Sequence, residues 1–132
     1  MSIVDHSEEF SNGDCEVLSI RIPSIKALFS IIYRPQRTTN AKFAEALCKI
    51  EKFKNDHTDD YYHAIMGDFN CEEIKWVTLD EFGATAQLKK QQDEPSLKLI
   101  DFQLKNFLSQ HVTEPIRYDR NGAENTLDLF FL

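Results

Sequence analysis

The sequence predicts an α/β fold, on two observations. Segments that alternate apolar and polar residues are interleaved with segments whose apolar residues recur every three or four positions, the periods of a strand and of a helix. The 132 residues are 42% hydrophobic and include 10 Phe. That supplies enough apolar material for one packed core and too much for a disordered chain.

The elements follow in chain order. Residues 1–14 read as a polar, frayed lead-in, leaving 15–132 as the folded unit. In 15–22, Val17, Ser19 and Arg21 alternate with Leu18, Ile20 and Ile22, the pattern of a half-buried strand. Pro23-Ser24 makes a turn, and 27–33 forms a second strand, so the pair predicts a hairpin. Tyr33-Arg34-Pro35 ends that strand, because proline cannot continue a ladder and keeps the preceding residue extended. Thr39 or Asn40 caps a helix running to about Lys54. Its Phe43, Leu47, Ile50 and Phe53 form one apolar stripe, and Lys52 and Lys54 sit where the helix dipole favours positive charge. Residues 61–66 are apolar on both alternating faces, as a strand covered on both sides should be. Residues 77–95 read as a polar surface connection. From Pro95 or Ser96 to about Ser109, Leu97, Ile100, Leu104, Phe107 and Leu108 predict the inward face of a second helix. Residues 112–116 and 126–132 read as closing strands, joined by a turn at Asp119-Arg120-Asn121-Gly122.

Charge and cysteine content exclude several classes. The formal net charge is −7, and Lys89-Lys90 and Arg34/Arg37 are small clusters, so no basic face of the kind that dominates strong nucleic-acid binding is legible. A metal-dependent phosphoesterase remains compatible, since such a site needs carboxylates. Cys15, Cys48 and Cys71 are odd in number and widely spaced, which argues against a zinc framework or a disulfide-linked partner and suits a reducing, intracellular compartment. No apolar run approaches membrane-spanning length and no targeting signal is visible.

The most informative stretch is Gly67-Asp68-Phe69-Asn70, which ends the apolar run 62–66. On an extended backbone Asp68 and Asn70 point to the same side. A carboxylate there can hold or deprotonate an attacking water, while a carboxamide donates to a phosphoryl oxygen. A polar strand-to-loop turn would look the same in isolation. Tyr33-Arg34-Pro35 upstream, Trp76 nearby, and Thr126-Leu127-Asp128-Leu129 downstream add the context.

In this order and spacing the motifs resemble the endonuclease/exonuclease/phosphatase superfamily, most closely the endonuclease domain of non-LTR retrotransposon polyproteins. The resemblance runs from about Cys15 to Leu132. It implies a four-layer α/β/β/α two-sheet sandwich, present here as its C-terminal portion. The family's early Asn and metal-binding Glu would precede residue 1, and its Ser-Asp-His segment would follow residue 132. By the resemblance, Asp68 orients or deprotonates the water, and Asn70 and Tyr33 contact the scissile phosphate. Asp128 supports a catalytic histidine lying outside this chain. A divalent ion, Mg²⁺ or Mn²⁺, lies near Asp68. The implied activity is nicking of DNA, with the nucleus as one setting and a polymerase domain following. Two rivals share these residues: a phosphomonoesterase or phosphoinositide phosphatase, and a non-catalytic remnant serving as an interaction module. The fragment alone is expected to be inactive.

Other polar residues read as structural. Tyr33 could be a core aromatic at a strand end, and Asp128 without its histidine merely a strand carboxylate. His57, Asp59 and Asp60 read as a solvated loop, His63 as buried in its strand, His6 as part of the lead-in, and His111 as following a helix end. None has metalloprotease spacing. Glu72-Glu73 read as loop charges, and Trp76 as packing the loop.

Overall fold

The computed structural model describes residues 4–57, 61–71, 74–80, 83–88, 93–106, 108–111, 117–118, 124–125 and 128–132. In chain order these form β1 (His6–Ser11), β2 (Glu16–Ile22), β3 (Ala27–Tyr33), α1 (Asn40–His57), β4 (Tyr62–Asp68), β5 (Ile74–Asp80), β6 (Gly83–Leu88), α2 (Glu94–Lys105), β7 (Arg117–Tyr118), β8 (Glu124–Asn125) and β9 (Asp128–Phe131). A five-stranded sheet has the order β1-β2-β3-β4-β9, beside two-stranded pairs β5-β6 and β7-β8. β1, β2 and β3 are antiparallel, β4 runs parallel to β3, and β9 returns antiparallel to β4. The parallel pair requires a crossover, and α1 supplies it. Of the layers expected, the described residues build the five-stranded sheet with helices over one face, and beside it the two small two-stranded sheets.

Period-2 alternation divides the sheet into two faces. On the helical face Val17, Leu28, Ile32, Ile65, Leu129 and Phe131 are buried, and α1 lays Phe43, Ala46, Leu47, Ile50 and Phe53 against them. Thr39 caps α1, its Oγ1 accepting from the Lys42 N–H, as the sequence anticipates. The helix continues three residues past the expected Lys54. On the other face Leu18, Ile31 and Tyr33 are 37%, 44% and 49% exposed, so the part of this face formed by β2 and the end of β3 is open although the strands are apolar on both sides.

The segment expected to be a frayed lead-in supplies β1, an edge strand in full register with β2. Its composition, His-Ser-Glu-Glu-Phe-Ser, is polar because a sheet edge is safest when charged. Residues 77–95, expected as a polar connection, hold part of the β5-β6 hairpin and the start of α2. The apolar residues there are local to a two-stranded unit and look like loop when weighed by overall polarity.

α2 starts where expected but ends at Lys105, short of the expected Ser109, and its most buried row differs from the expected one. Asp93 caps it, accepting from the Ser96 N–H and hydroxyl, and the buried row is Ser96, Leu99, Phe102 and Gln103, while Leu104 is 67% exposed. Two helical rows, 97/100/104 and 99/102/103, compete in this sequence. The second is the more deeply buried, because Phe102 fills the core and Gln103 Nε2 can donate to the Leu108 carbonyl at 3.1 Å, while Ile100 and Leu108 of the expected face pack partly buried against the same core. The expected residue Phe107, strand 112–116 and turn at 119–122 lie outside the described residues, as do 126–127 of the last strand; 128–131 form β9.

Beneath α1, Ser19 Oγ and Ser30 Oγ lie 2.8 Å apart, and Ser30 Oγ lies 3.0 Å from His63 Nε2. Among the described residues, His63 Nδ1 is buried without a partner. A buried lone pair costs less than a buried N–H with no acceptor, so the imidazole proton belongs on Nε2. Burial holds this histidine at about 4, with a smaller push in the same direction from Lys54. The ring is therefore neutral, a structural part of the core.

Candidate active site

The parallel pairing of β3 and β4 brings their C-terminal ends together. Tyr33, last in β3, is the register partner of Asp68, last in β4. Asp68 is in turn the partner of Asp128, first in β9. Adjacent strands lie about 4.8 Å apart, so the three Cα atoms fall within about 10 Å. The row continues through Glu16 on β2, opposite Tyr33, to Ser11 on β1. Tyr33 is half exposed and so is not a core aromatic, and Asp68 is half-buried. Glu16 is an exposed carboxylate that sequence reasoning passed over. Its place is set by hairpin register, and no local motif marks it.

The loop after β4 is shaped by steric need. Gly67 has φ +147°, and a Cβ there would meet the Ile32 carbonyl oxygen at 1.9 Å and two further Ile32 backbone atoms at 2.9 Å. Only glycine lets β4 approach β3 this closely while turning toward the site. Phe69 then drives inward: it is fully buried and meets Phe131 edge-on at 5.5 Å. With Phe69 as the anchor, its neighbours Asp68 and Asn70 are left at the rim.

Asn70 departs from the extended geometry expected of it. Its φ is +50°, the left-handed conformation that Asn tolerates better than most residues. Its backbone N–H donates to Asp68 Oδ1 at 3.2 Å, and its side-chain Nδ2 donates to the Arg34 carbonyl. The two side chains are thus coupled by a turn rather than set side by side on a straight strand.

Arg34 is the structural residue that the sequence reading missed. It is 3% exposed, and its Nη1 donates to the carbonyls of Phe69 at 3.0 Å and Asn70 at 3.1 Å. Its backbone N–H donates to the Asp68 carbonyl at 2.8 Å. The guanidinium lies 4.9 Å above the Phe43 ring, and among the described residues its Nε is buried without a partner. Tyr33-Arg34-Pro35 and Asp68-Phe69-Asn70 are therefore tied by main chain and side chain in both directions. The available signal was an arginine between a strand end and a proline, which on its face suggests only a surface charge.

Among the remaining candidates, Trp76 lies on β5, and Glu72-Glu73 lie outside the described residues. His111 stacks its ring edge near Phe130 at 6.3 Å. The three cysteines are free. Cys71, beside the site, is buried and its thiol is pushed up to about 12, and burial also raises Cys15. Neither is a thiolate nucleophile near neutral pH. Among the described residues, no helix is long and apolar enough to cross a membrane.

Tyr33 and Asp68 thus close the parallel strands β3 and β4 of an α/β sheet, with Asn70 in the loop just beyond. Residues 27–132 match the family described as Endonuclease-reverse transcriptase, and the chain belongs to that family. Among solved structures it is similar to the endonuclease domain of TRAS1, a telomere-specific non-LTR retrotransposon. The identity is 14%, the TM-score is 0.53, and the match covers 97% of this chain and 55% of that one. The chain thus spans about half of that domain and shares its fold. Comparison with curated proteins gives no match.

Proposed function

We propose that this chain carries part of the active site of a divalent-metal-dependent, DNA-nicking endonuclease of the retrotransposon type, with Tyr33, Asp68, Asn70 and Asp128 as its site residues. The observation that carries the reading is the strand register Tyr33–Asp68–Asp128, with Asn70 tied beside it by Arg34 and Asp68. Asp68 orients a water and takes its proton as the water oxygen attacks phosphorus in line. The bond to the 3′ oxygen breaks, and that oxygen leaves as a hydroxyl by taking a proton from solvent water, while Asp68 returns its own proton to solvent. The amide of Asn70 has two N–H donors, so one can hold the Arg34 carbonyl while the other reaches a phosphoryl oxygen. The Tyr33 hydroxyl, on a half-exposed ring, donates to the same phosphate. Asp128 supports a histidine contributed by another segment of the domain.

The oxygen donor set of this row suits a hard cation such as Mg²⁺ or Mn²⁺. Asp68 would be its ligand, and the ion would supply positive charge at the phosphoryl oxygens. The working compartment of such an enzyme is wherever its DNA lies, the nucleus included.

The test is relaxation of supercoiled plasmid by the chain expressed with its flanking coding sequence, beside a soluble phosphomonoester and a phosphoinositide. Nicking that falls by about 100-fold or more in Asp68→Ala and in Asn70→Ala supports the reading. Residues 1–132 alone should give negligible nicking. Cleavage of the monoesters alone assigns the phosphatase activity instead, and no cleavage by a folded protein assigns a non-catalytic remnant.

A further inference from the structure

A second cluster of chemically capable side chains sits on the opposite end of the sheet. His6 and Glu8 are two residues apart on β1, so both face the helical layer. α1 is 18 residues long, about 27 Å, and its last residue, His57, arrives over the start of β1. His6 Nε2 lies 3.1 Å from Glu8 Oε1, and His57 Nε2 lies 3.8 Å from the same oxygen. One ligand atom from each residue falls within 4.8 Å of the other two. The imidazoles are 4.4 Å apart, and His57 packs 4.5 Å from Phe53, a fully buried side chain. An apolar floor therefore backs the rings, while His6 and Glu8 open to solvent.

We infer that His6, Glu8 and His57 form a binding site for a zinc-class transition metal that clips the edge strand β1 to the C-terminal end of α1. Zn–N and Zn–O bonds of about 2.0–2.1 Å in a tetrahedron put ligand atoms about 3.3 Å apart. The observed separations of 3.1 and 3.8 Å bracket that value, so small side-chain movements close the site. Two imidazoles and one carboxylate prefer Zn²⁺ over Mg²⁺, which takes oxygen donors. As a bare ion pair the arrangement is unrewarding. Two imidazoles converge on one carboxylate oxygen, and exposed pairs contribute little. A cation satisfies all three groups at once and leaves a fourth position to water. The site is separate from the Tyr33–Asp68–Asp128 row: His6 and Ser11 are five positions apart along β1, about 17 Å, and the two sites use opposite faces of the sheet.

The experiment titrates the 132-residue chain with Zn²⁺ against a chromophoric chelator in excess Mg²⁺. One equivalent should bind with micromolar or tighter affinity. His6→Ala and His57→Ala should each weaken it about tenfold or more, and Cys48→Ser should leave it unchanged. Imidazole nitrogen resonances of His6 and His57 should move on binding, while those of His63 and His111 stay in place. This second readout holds even if a variant is less well folded. Absence of binding at about 100 µM Zn²⁺ overturns the site, as does binding that persists unchanged in both histidine variants or leaves both imidazoles unmoved.

Discussion

His63→Gln should remove a stability loss that the parent chain suffers on acidification. In the unfolded chain histidine protonates below its ordinary value of 6.5, whereas in the fold burial holds His63 neutral down to about 4. Between those values the unfolded state binds a proton that the native state refuses, so stability falls as pH falls, levelling below about 4. At about 1.4 kcal/mol per pH unit, the interval from 6.5 to about 4 amounts to about 3 kcal/mol. That is a large part of what a small domain has. Gln at this position can still bond Ser30 and carries no titratable group. The assay is urea unfolding by circular dichroism at steps from about pH 7 to about pH 4, with the His63 imidazole followed by NMR. The parent curve should steepen below about pH 6.5 and the variant curve should flatten by about 3 kcal/mol over that span. Parallel curves, or an imidazole titrating near 6.5 in the folded chain, refute the argument.

The other perturbations act nearer the candidate active site. Gly67→Ala places a methyl group 1.9 Å from the Ile32 carbonyl oxygen at φ +147°. Chemical denaturation should show a loss of about 3 kcal/mol or more, from backbone strain plus the broken β3-β4 approach. Arg34→Met keeps most of the volume but removes both hydrogen bonds to the Phe69 and Asn70 carbonyls. Hydrogen exchange should show the loop after β4 opening more readily, with a stability loss of about 2–4 kcal/mol. Exposure of Leu18, Ile31 and Tyr33 on one face should make the chain associate with rising concentration in sedimentation velocity. Leu18→Lys with Ile31→Glu should suppress that association, and a monomer at all concentrations contradicts the open face.

Local rules made the central elements legible. β2, the turn after it, β3 and α1 each carry a complete signal: alternation, a proline, a cap, and a stripe of Phe43, Leu47, Ile50 and Phe53. Elements that depend on distant partners were not. β1 is polar because it is an edge, and only its pairing with β2 distinguishes it from a tail. The face of α2 was ambiguous because Leu97, Ile100 and Leu104 compete at helical spacing with Leu99 and Phe102, and the depth of burial depends on what Phe102 meets in the core. At the candidate active site, Tyr33 and Asp68 could be picked out individually, but their adjacency follows from parallel register across a crossover. Glu16 joins them by hairpin register alone. Arg34 was invisible as a buried strap because burial of a guanidinium beside two carbonyls leaves no trace in spacing.

The four residues of the β4 tip are best understood as one device. Gly67 permits the close approach, Phe69 anchors the turn in the core, and Asp68 and Asn70 are thereby held at the rim with little freedom. A site on a mobile loop would have to order itself around substrate, at a cost of about 1–2 kcal/mol for each residue fixed. Here that ordering is supplied by folding: Phe69 is packed against Phe131, and Arg34 closes the turn from the neighbouring strand end. Phe69→Ala therefore separates anchoring from chemistry. It leaves the Asp68 and Asn70 side chains intact, yet it should cost about 3–5 kcal/mol of stability. In the proposed nuclease, expressed with its flanking coding sequence, it should also lower the rate of phosphodiester cleavage more than substrate affinity, because loss of positioning is felt most in the transition state. Plasmid nicking under conditions where the variant is verified as folded makes the comparison. Wild-type turnover in a folded Phe69→Ala protein would mean that Asp68 and Asn70 are held by something other than this anchor.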